Sequence, residues 1–78
     1  MKNISIADVT IHVDESMDKD TRAKLESDLR SQDGVISVSS SEHTPHLIIV
    51  SFDAEHATCK EILKVVLSEH LHAELIGL

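Results

Sequence analysis

Four segments of the chain have the apolar alternation or the β-branched content of strands: residues 9–13, 35–40, 46–52 and 71 to the C-terminus. In the first segment Val9, Ile11 and Val13 fall on one face, and Thr10 and His12 fall on the other. Alternation with a period of two is typical of a strand that buries one face. The pattern therefore predicts four strands, of which the middle two form a hairpin around the chain's only proline.

A helix is predicted between the first and second strands. Ser16 and Asp18 are both good N-cap residues, so either of them can begin it, and it runs to about Gln32. Gly34 ends it, because glycine accepts the left-handed conformation of a C-terminal cap. The apolar stripe of this helix is narrow and comprises Met17, Thr21, Leu25 and Leu29. We therefore expect it to be the less stable of two helices.

The second helix follows the third strand. Thr58 and Glu61 have the residue types and the spacing of a capping box, in which each side chain bonds a free backbone N–H at the helix start. Ile62 and Val66 lie one turn apart and form the centre of the predicted buried face. The helix is expected to end near Glu69.

The predicted element order is β-α-β-β-α-β. Two split β-α-β units in this order are typical of a ferredoxin-like α+β fold. We expect a four-stranded antiparallel sheet with strand order 4-1-3-2 and both helices on one face, so that residues 1–78 form a single domain. The opposite face of the sheet is then left open.

Composition excludes several classes of function. The 78 residues carry a formal net charge of −7 and contain one aromatic residue, Phe52, so binding to nucleic acid or to an anionic membrane is not expected. The single cysteine, Cys59, forms no disulfide within the chain, and no apolar run has the length of a signal peptide or a membrane span. We therefore expect a cytoplasmic protein.

The spacing of apolar and turn residues resembles that of the heavy-metal-associated domain of copper chaperones, mercury-binding proteins and metal-transporting ATPases. The residues that carry the resemblance are Gly34-Val35, Val38, Ile48, Val50, Phe52-Asp53, Thr58-Cys59-Lys60-Glu61-Ile62 and His70-Leu71-His72-Ala73-Glu74-Leu75-Ile76. The pattern covers nearly the whole chain. It implies the same ferredoxin-like fold and a role in metal binding.

Metal binding in that family depends on a Cys-x-x-Cys pair before the first helix, whose thiolates hold a soft ion such as Cu(I). Counting back from Gly34 places the two positions at Asp18 and Thr21. A carboxylate and a neutral hydroxyl cannot replace two thiolates for a soft ion. The family's metal site is therefore not expected in this chain.

Histidines offer a different metal site. The predicted topology brings the end of the first strand and the start of the fourth to one edge, where His12, His70 and His72 would converge with Asp14, Asp18 or Glu74. Imidazole and carboxylate ligands of this kind suit Zn(II), Ni(II) or Cu(II). The alternative is that these histidines are separate, solvated side chains.

The open face of the predicted sheet carries Leu47, Ile49 and Ile76 among polar residues. Such an apolar patch with a polar rim marks a protein contact or a homodimer surface, although scattered surface aliphatic residues are also normal. Catalysis is not expected, because the chain lacks a Gly-x-Ser-x-Gly turn and a glycine-rich phosphate loop. Two hypotheses result: a small non-enzymatic domain that binds a divalent transition metal weakly, or an interaction module.

Overall fold

The computed structural model describes residues 5–77, which form a four-stranded sheet and two helices. In chain order the elements are β1 (Ile6–Val13), α1 (Lys19–Arg30), β2 (Val35–Ser41), β3 (Thr44–Asp53), α2 (Cys59–Leu67) and β4 (Ala73–Gly77). The predicted β-α-β-β-α-β order is confirmed. Neither helix is long and apolar enough to cross a membrane.

The strands pair in the order β2-β3-β1-β4, which is the predicted order 4-1-3-2. All three pairings are antiparallel. Val50 on β3 lies opposite both Val9 on β1 and Val38 on β2, so one row of valines crosses three strands. Irregular register occurs in the two outer pairings, between β1 and β4 and between β2 and β3.

The core fills the space between the helices and one face of the sheet. Its residues come from the sheet, from both helices and from two connections: Val9, Ile11, Val13, Met17, Leu25, Leu29, Val38, Ile48, Val50, Phe52, Ala57, Ile62 and Val66. Because strand side chains alternate, the residues between the buried ones point to the other face. We call this helix-free side of the sheet the open face.

The buried stripe and the last residue of the first helix differ from the prediction. Asp18 is the N-cap, and Ser16 is not. Thr21, predicted to be buried, is exposed, although it lies one turn before Leu25 on the same side of the helix. The helix ends at Arg30 rather than at about Gln32, since residues 31–34 form a turn.

The fourth strand begins later than predicted, at Ala73 rather than at Leu71. His70 has a φ of 63°, a left-handed conformation that interrupts the extended chain before the strand. The predicted continuation of the strand to the C-terminus includes Leu78, which lies outside the described residues. The late start changes where the histidines of this segment lie.

Candidate metal centre

Three metal-ligating side chains meet at the edge between β1 and β4. His12 is the last open-face residue of β1, and Asp14 follows that strand directly. Glu74 on β4 lies opposite His12 in the antiparallel register. One ligand atom from each of the three residues lies within 4.8 Å of the others. We call these residues the His12 group.

The Nδ1 atom of His12 has an unusual environment. It lies 3.3 Å from Oδ1 of Asp14, yet the direction of approach does not form a hydrogen bond. The atom is buried, and no described residue is its hydrogen-bond partner, although the side chain as a whole is 38% exposed. A buried polar atom without a partner is costly, and a bound ion or water would satisfy it.

His46 lies beside the His12 group without belonging to it. Its ring stacks on that of His12, with 5.8 Å between centroids and 22° between planes. Nδ1 of His46 lies 2.8 Å from the carbonyl oxygen of Val13. Because a carbonyl only accepts, Nδ1 carries a proton, so in the neutral ring the lone pair lies on Nε2. The sequence predicts His46 at this edge, because it lies near the start of the hairpin's second strand, but it does not predict His46 as a ligand.

His72 is engaged by a different carboxylate. Glu15 accepts hydrogen bonds from the backbone N–H of His72 at 2.8 Å and from its Nδ1 at 2.6 Å. The hydrogen bond and the charge of Glu15 raise the pKa of His72, and the same hydrogen bond lowers the pKa of Glu15. The N–H of Asp14 also donates to the carbonyl of His72 at 2.8 Å. These bonds join the segment before β4 to the connection after β1.

His70 and His72 therefore lie before the fourth strand and not at its start, where the sequence predicted them. Both precede β4, and His70 occupies a left-handed turn where its side chain is exposed. Among the described residues, the set of ligand atoms within 4.8 Å includes neither histidine. The structure thus brings together His12, Asp14 and Glu74 from the predicted set.

Asp18 performs a structural task at the start of α1. Its Oδ1 accepts a hydrogen bond of 2.7 Å from the backbone N–H of Thr21. This bond lowers the pKa of Asp18, because it stabilises the ionised carboxylate. The two positions that the resemblance assigns to thiolates are therefore joined to each other as a helix cap.

The three predicted interaction residues differ in their exposure to solvent. Leu47 is half-buried and Ile49 is exposed, and both line a shallow groove of about 190 Å³ with residues 39–41 and Thr44. Ile76 is exposed at the irregularity in the pairing of β1 with β4. Leu47 lies opposite His12 in the sheet, so the groove and the His12 group share the open face.

The donor set of the His12 group defines the ions it can hold. One imidazole nitrogen with two carboxylates is a borderline-to-hard set, suited to divalent transition metals and unsuited to Cu(I). Asp14 is 61% exposed, so water can complete the coordination sphere.

Comparison with known proteins supports the fold independently. No protein-family model and no curated protein matches the sequence. The structure is similar to a copper-binding domain from HMA7, a P-type ATPase, with a TM-score of 0.81 and 17% identity over 90% of this chain and 93% of that one. It is similar to oxidized MerP from Ralstonia metallidurans CH34, with a TM-score of 0.81 and 15% identity over 91% and 97% of the two chains.

A third similar structure is the apo form of the copper chaperone of Enterococcus hirae. The TM-score is 0.74 and the identity is 22%, over 87% of this chain and 98% of the chaperone. At this level of identity the likeness concerns the arrangement of the backbone. The chain has the ferredoxin-like fold of the heavy-metal-associated domains, which these copper-binding structures and MerP share.

Proposed function

We propose that this protein is a small non-enzymatic metal-binding domain that holds a divalent transition ion, Zn(II), Ni(II) or Cu(II), through His12, Asp14 and Glu74. The observation that carries the proposal is the buried, unbonded Nδ1 of His12, 3.3 Å from Asp14, in a group whose three residues each bring one ligand atom within 4.8 Å of the others. An ion at this point would replace a costly unsatisfied atom with a ligand bond. A cytoplasmic location, expected from the single cysteine, belongs to the same proposal.

The chemistry of the chain favours a divalent ion over Cu(I). The sequence has one cysteine, Cys59, so one chain cannot supply a pair of thiolates. Asp18, at the first of the two positions of the family's pair, is already engaged by the N–H of Thr21. Structures with the same fold are a copper-binding domain and a copper chaperone, which supports a role in metal binding for this chain. The ligands in this chain would be a different set of residues.

His70 and His72 remain part of the proposal as accessory groups. His72 is linked to Asp14 through a backbone hydrogen bond, so it stabilises the position of one ligand. Its Nδ1 is engaged by Glu15, which leaves Nε2 facing away from that bond. We expect His70 and His72 to modulate the affinity and His12 to determine it.

Titration of the apo protein with Zn(II), followed by NMR of the imidazole and backbone signals, tests the proposal. The signals of His12 and of residues around Glu74 should shift at stoichiometric metal. His12→Ala should weaken binding roughly tenfold or more, because the only nitrogen ligand is lost. His43→Ala is the matched control, since His43 is an exposed histidine in the hairpin turn.

Two results would contradict the proposal. One is binding of Zn(II) that His12→Ala and His43→Ala weaken equally, which indicates general attraction of cations to histidines. The other is a His70→Ala, His72→Ala double variant that loses binding while His12→Ala retains it, which assigns the ion to the segment before β4.

A further inference from the structure

The described lysines and arginines of this protein all lie on the side of the sheet that the helices cover. Every Lys and Arg that the structure describes lies on a helix: Lys19, Arg22, Lys24 and Arg30 on α1, and Lys60 and Lys64 on α2. None of the four strands contains a lysine or an arginine. The strands therefore supply no lysine or arginine to balance the acids of the sheet.

Acidic and apolar side chains occupy the open face together. Asp8 and Glu74 project from β1 and β4 on this side, and Asp14 lies at the end of β1. Ile49 on β3 is 45% exposed, and the half-buried Leu47 lies next to it along the same row. This face combines exposed aliphatic side chains with acidic residues and has no Lys or Arg on its strands, whereas an ordinary solvated face mixes acidic and basic residues.

The apolar part of this surface is concave. Leu47 and Ile49 line the groove of about 190 Å³ together with Ser39 and Thr44. Ser39 lies opposite Ile49 in the pairing of β2 with β3, so the groove runs across these two strands. An aliphatic side chain of a partner would find apolar contact at this point, and the acids on β1 and β4 lie to one side of it.

We propose that the open face docks a basic protein segment, one that carries aliphatic residues together with Lys or Arg. The aliphatic residues would pack on Leu47 and Ile49, and the basic residues would pair with Asp8, Asp14 and Glu74. The charge complementarity selects this partner, because acids on a face whose strands carry no Lys or Arg attract a cationic surface. The inference goes beyond metal binding and holds for the metal-free protein.

A second copy of the chain does not fit this face. A twofold dimer formed through the open face would bring the same acids together from both copies, because a twofold interface is self-complementary in position. The acids of both copies would then be buried in one interface with no Lys or Arg from either sheet to pair with them, which is costly.

Two synthetic peptides of nine residues provide the probe, one alternating Lys with Leu and one alternating Glu with Leu. Each is added to the ¹⁵N-labelled protein in EDTA, and amide shifts are followed by NMR. The Lys-Leu peptide should shift the amides of β1 and β3 and should bind more weakly as salt is raised. The Glu-Leu peptide should not bind.

Ile49→Ser and Leu67→Ser are the matched variants, because each residue is a 45% exposed aliphatic side chain and Leu67 lies on α2. Ile49→Ser should weaken binding of the Lys-Leu peptide roughly tenfold, since it removes the apolar contact, and Leu67→Ser should leave binding unchanged. Asp8→Asn should weaken it to a smaller extent.

Three outcomes would overturn the inference. The first is equal binding of the peptide to wild type and Ile49→Ser, which indicates unspecific attraction to an acidic protein. The second is a set of shifts confined to the helices. The third is a wild-type dimer that Ile49→Ser dissociates, which assigns the face to a second copy. A failed Zn(II) titration leaves the inference untouched, because the experiment uses the metal-free protein.

Discussion

Glu15 binds His72 at two points, through the backbone N–H and through the imidazole Nδ1. The two residues are 57 positions apart in sequence, and with the bond from Asp14 N–H to the carbonyl of His72 they hold the start of β4 against the end of β1. This contact lies beside the His12 group, because Asp14 belongs to that group and also donates its backbone N–H to the carbonyl of His72. The position of one proposed ligand thus depends on a charge pair.

The first prediction concerns the pH dependence of this pair. Folding raises the pKa of His72 above 6.5, so the contribution of protonated His72 is complete below 6.5 and is lost as pH rises through the raised pKa. Folding lowers the pKa of Glu15 below 4.5, so its contribution is complete above 4.5 and is lost as pH falls through the lowered pKa. The pair therefore stabilises the protein most between these two values.

Urea unfolding of wild type and Glu15→Gln at about pH 5.5 and about pH 8.5 measures this effect. The difference in stability between the two proteins should be larger at the lower pH. Glu42→Gln serves as control, since Glu42 lies in the exposed hairpin turn. A Glu15→Gln deficit of equal size at both pH values would show that protonation of His72 does not contribute to the pair. Both side chains are accessible to solvent, so the effect is small.

The second prediction concerns the helix cap at Asp18. Asp18→Ala removes the acceptor for the N–H of Thr21 and should lower the melting temperature by about 5 °C. Asp18→Asn should retain most of the stability, because asparagine caps about as well as aspartate. Thermal unfolding followed by circular dichroism distinguishes the two variants. Affinity for Zn(II) should be unchanged in both, so a loss of Zn(II) binding in Asp18→Asn would place this carboxylate among the ligands.

The third prediction compares two residues with positive φ. Gly34 has a φ of 87°, and a Cβ atom there would lie 2.8 Å from the Cβ atom of Ala57. Gly34→Ala should therefore cost about 2 kcal/mol or more, from left-handed strain and from the clash. His70 has a φ of 63°. His70→Gly should stay within about 1 kcal/mol of wild type, because the relief of strain offsets the added freedom of the unfolded chain.

Chemical denaturation of both variants provides the comparison. A severe loss in His70→Gly would mean that the imidazole makes a stabilising contact that outweighs its backbone strain. A Gly34→Ala protein as stable as wild type would require that the connection before α2 moves away from residue 34.

Those parts of the fold that depend on local periodicity could be predicted from the sequence. Val9, Ile11 and Val13 are all buried, and Thr58 accepts the hydrogen bond from the N–H of Glu61 that its capping-box position predicts. Each of these features depends on spacing within a few residues. The order of the strands followed from the element order, because few topologies satisfy the rules of connection.

The composition of the candidate site could be predicted only in part, because it depends on register. Glu74 meets His12 since the two are opposite each other in the pairing of β1 with β4, and sequence alternation does not determine that alignment. The alternation of Leu71, Ala73 and Leu75 begins before β4, which starts at Ala73. The left-handed turn at His70, which ends the extended segment, has no signal in the apolar pattern.

The fourth prediction couples the two proposals. The His12 group lies on the same face as the groove, with His12 opposite Leu47, so a divalent ion there would add positive charge to the surface that attracts the basic segment. Zn(II) at saturation should therefore weaken binding of the Lys-Leu peptide roughly fivefold, and the peptide should weaken binding of Zn(II) by the same factor.

NMR titration of the peptide with and without Zn(II) measures the first effect, and calorimetry of Zn(II) with and without the peptide measures the second. In His12→Ala the peptide affinity should no longer depend on Zn(II). Peptide binding that Zn(II) strengthens in wild type would show that the ion and the basic segment do not compete for the acids of the open face.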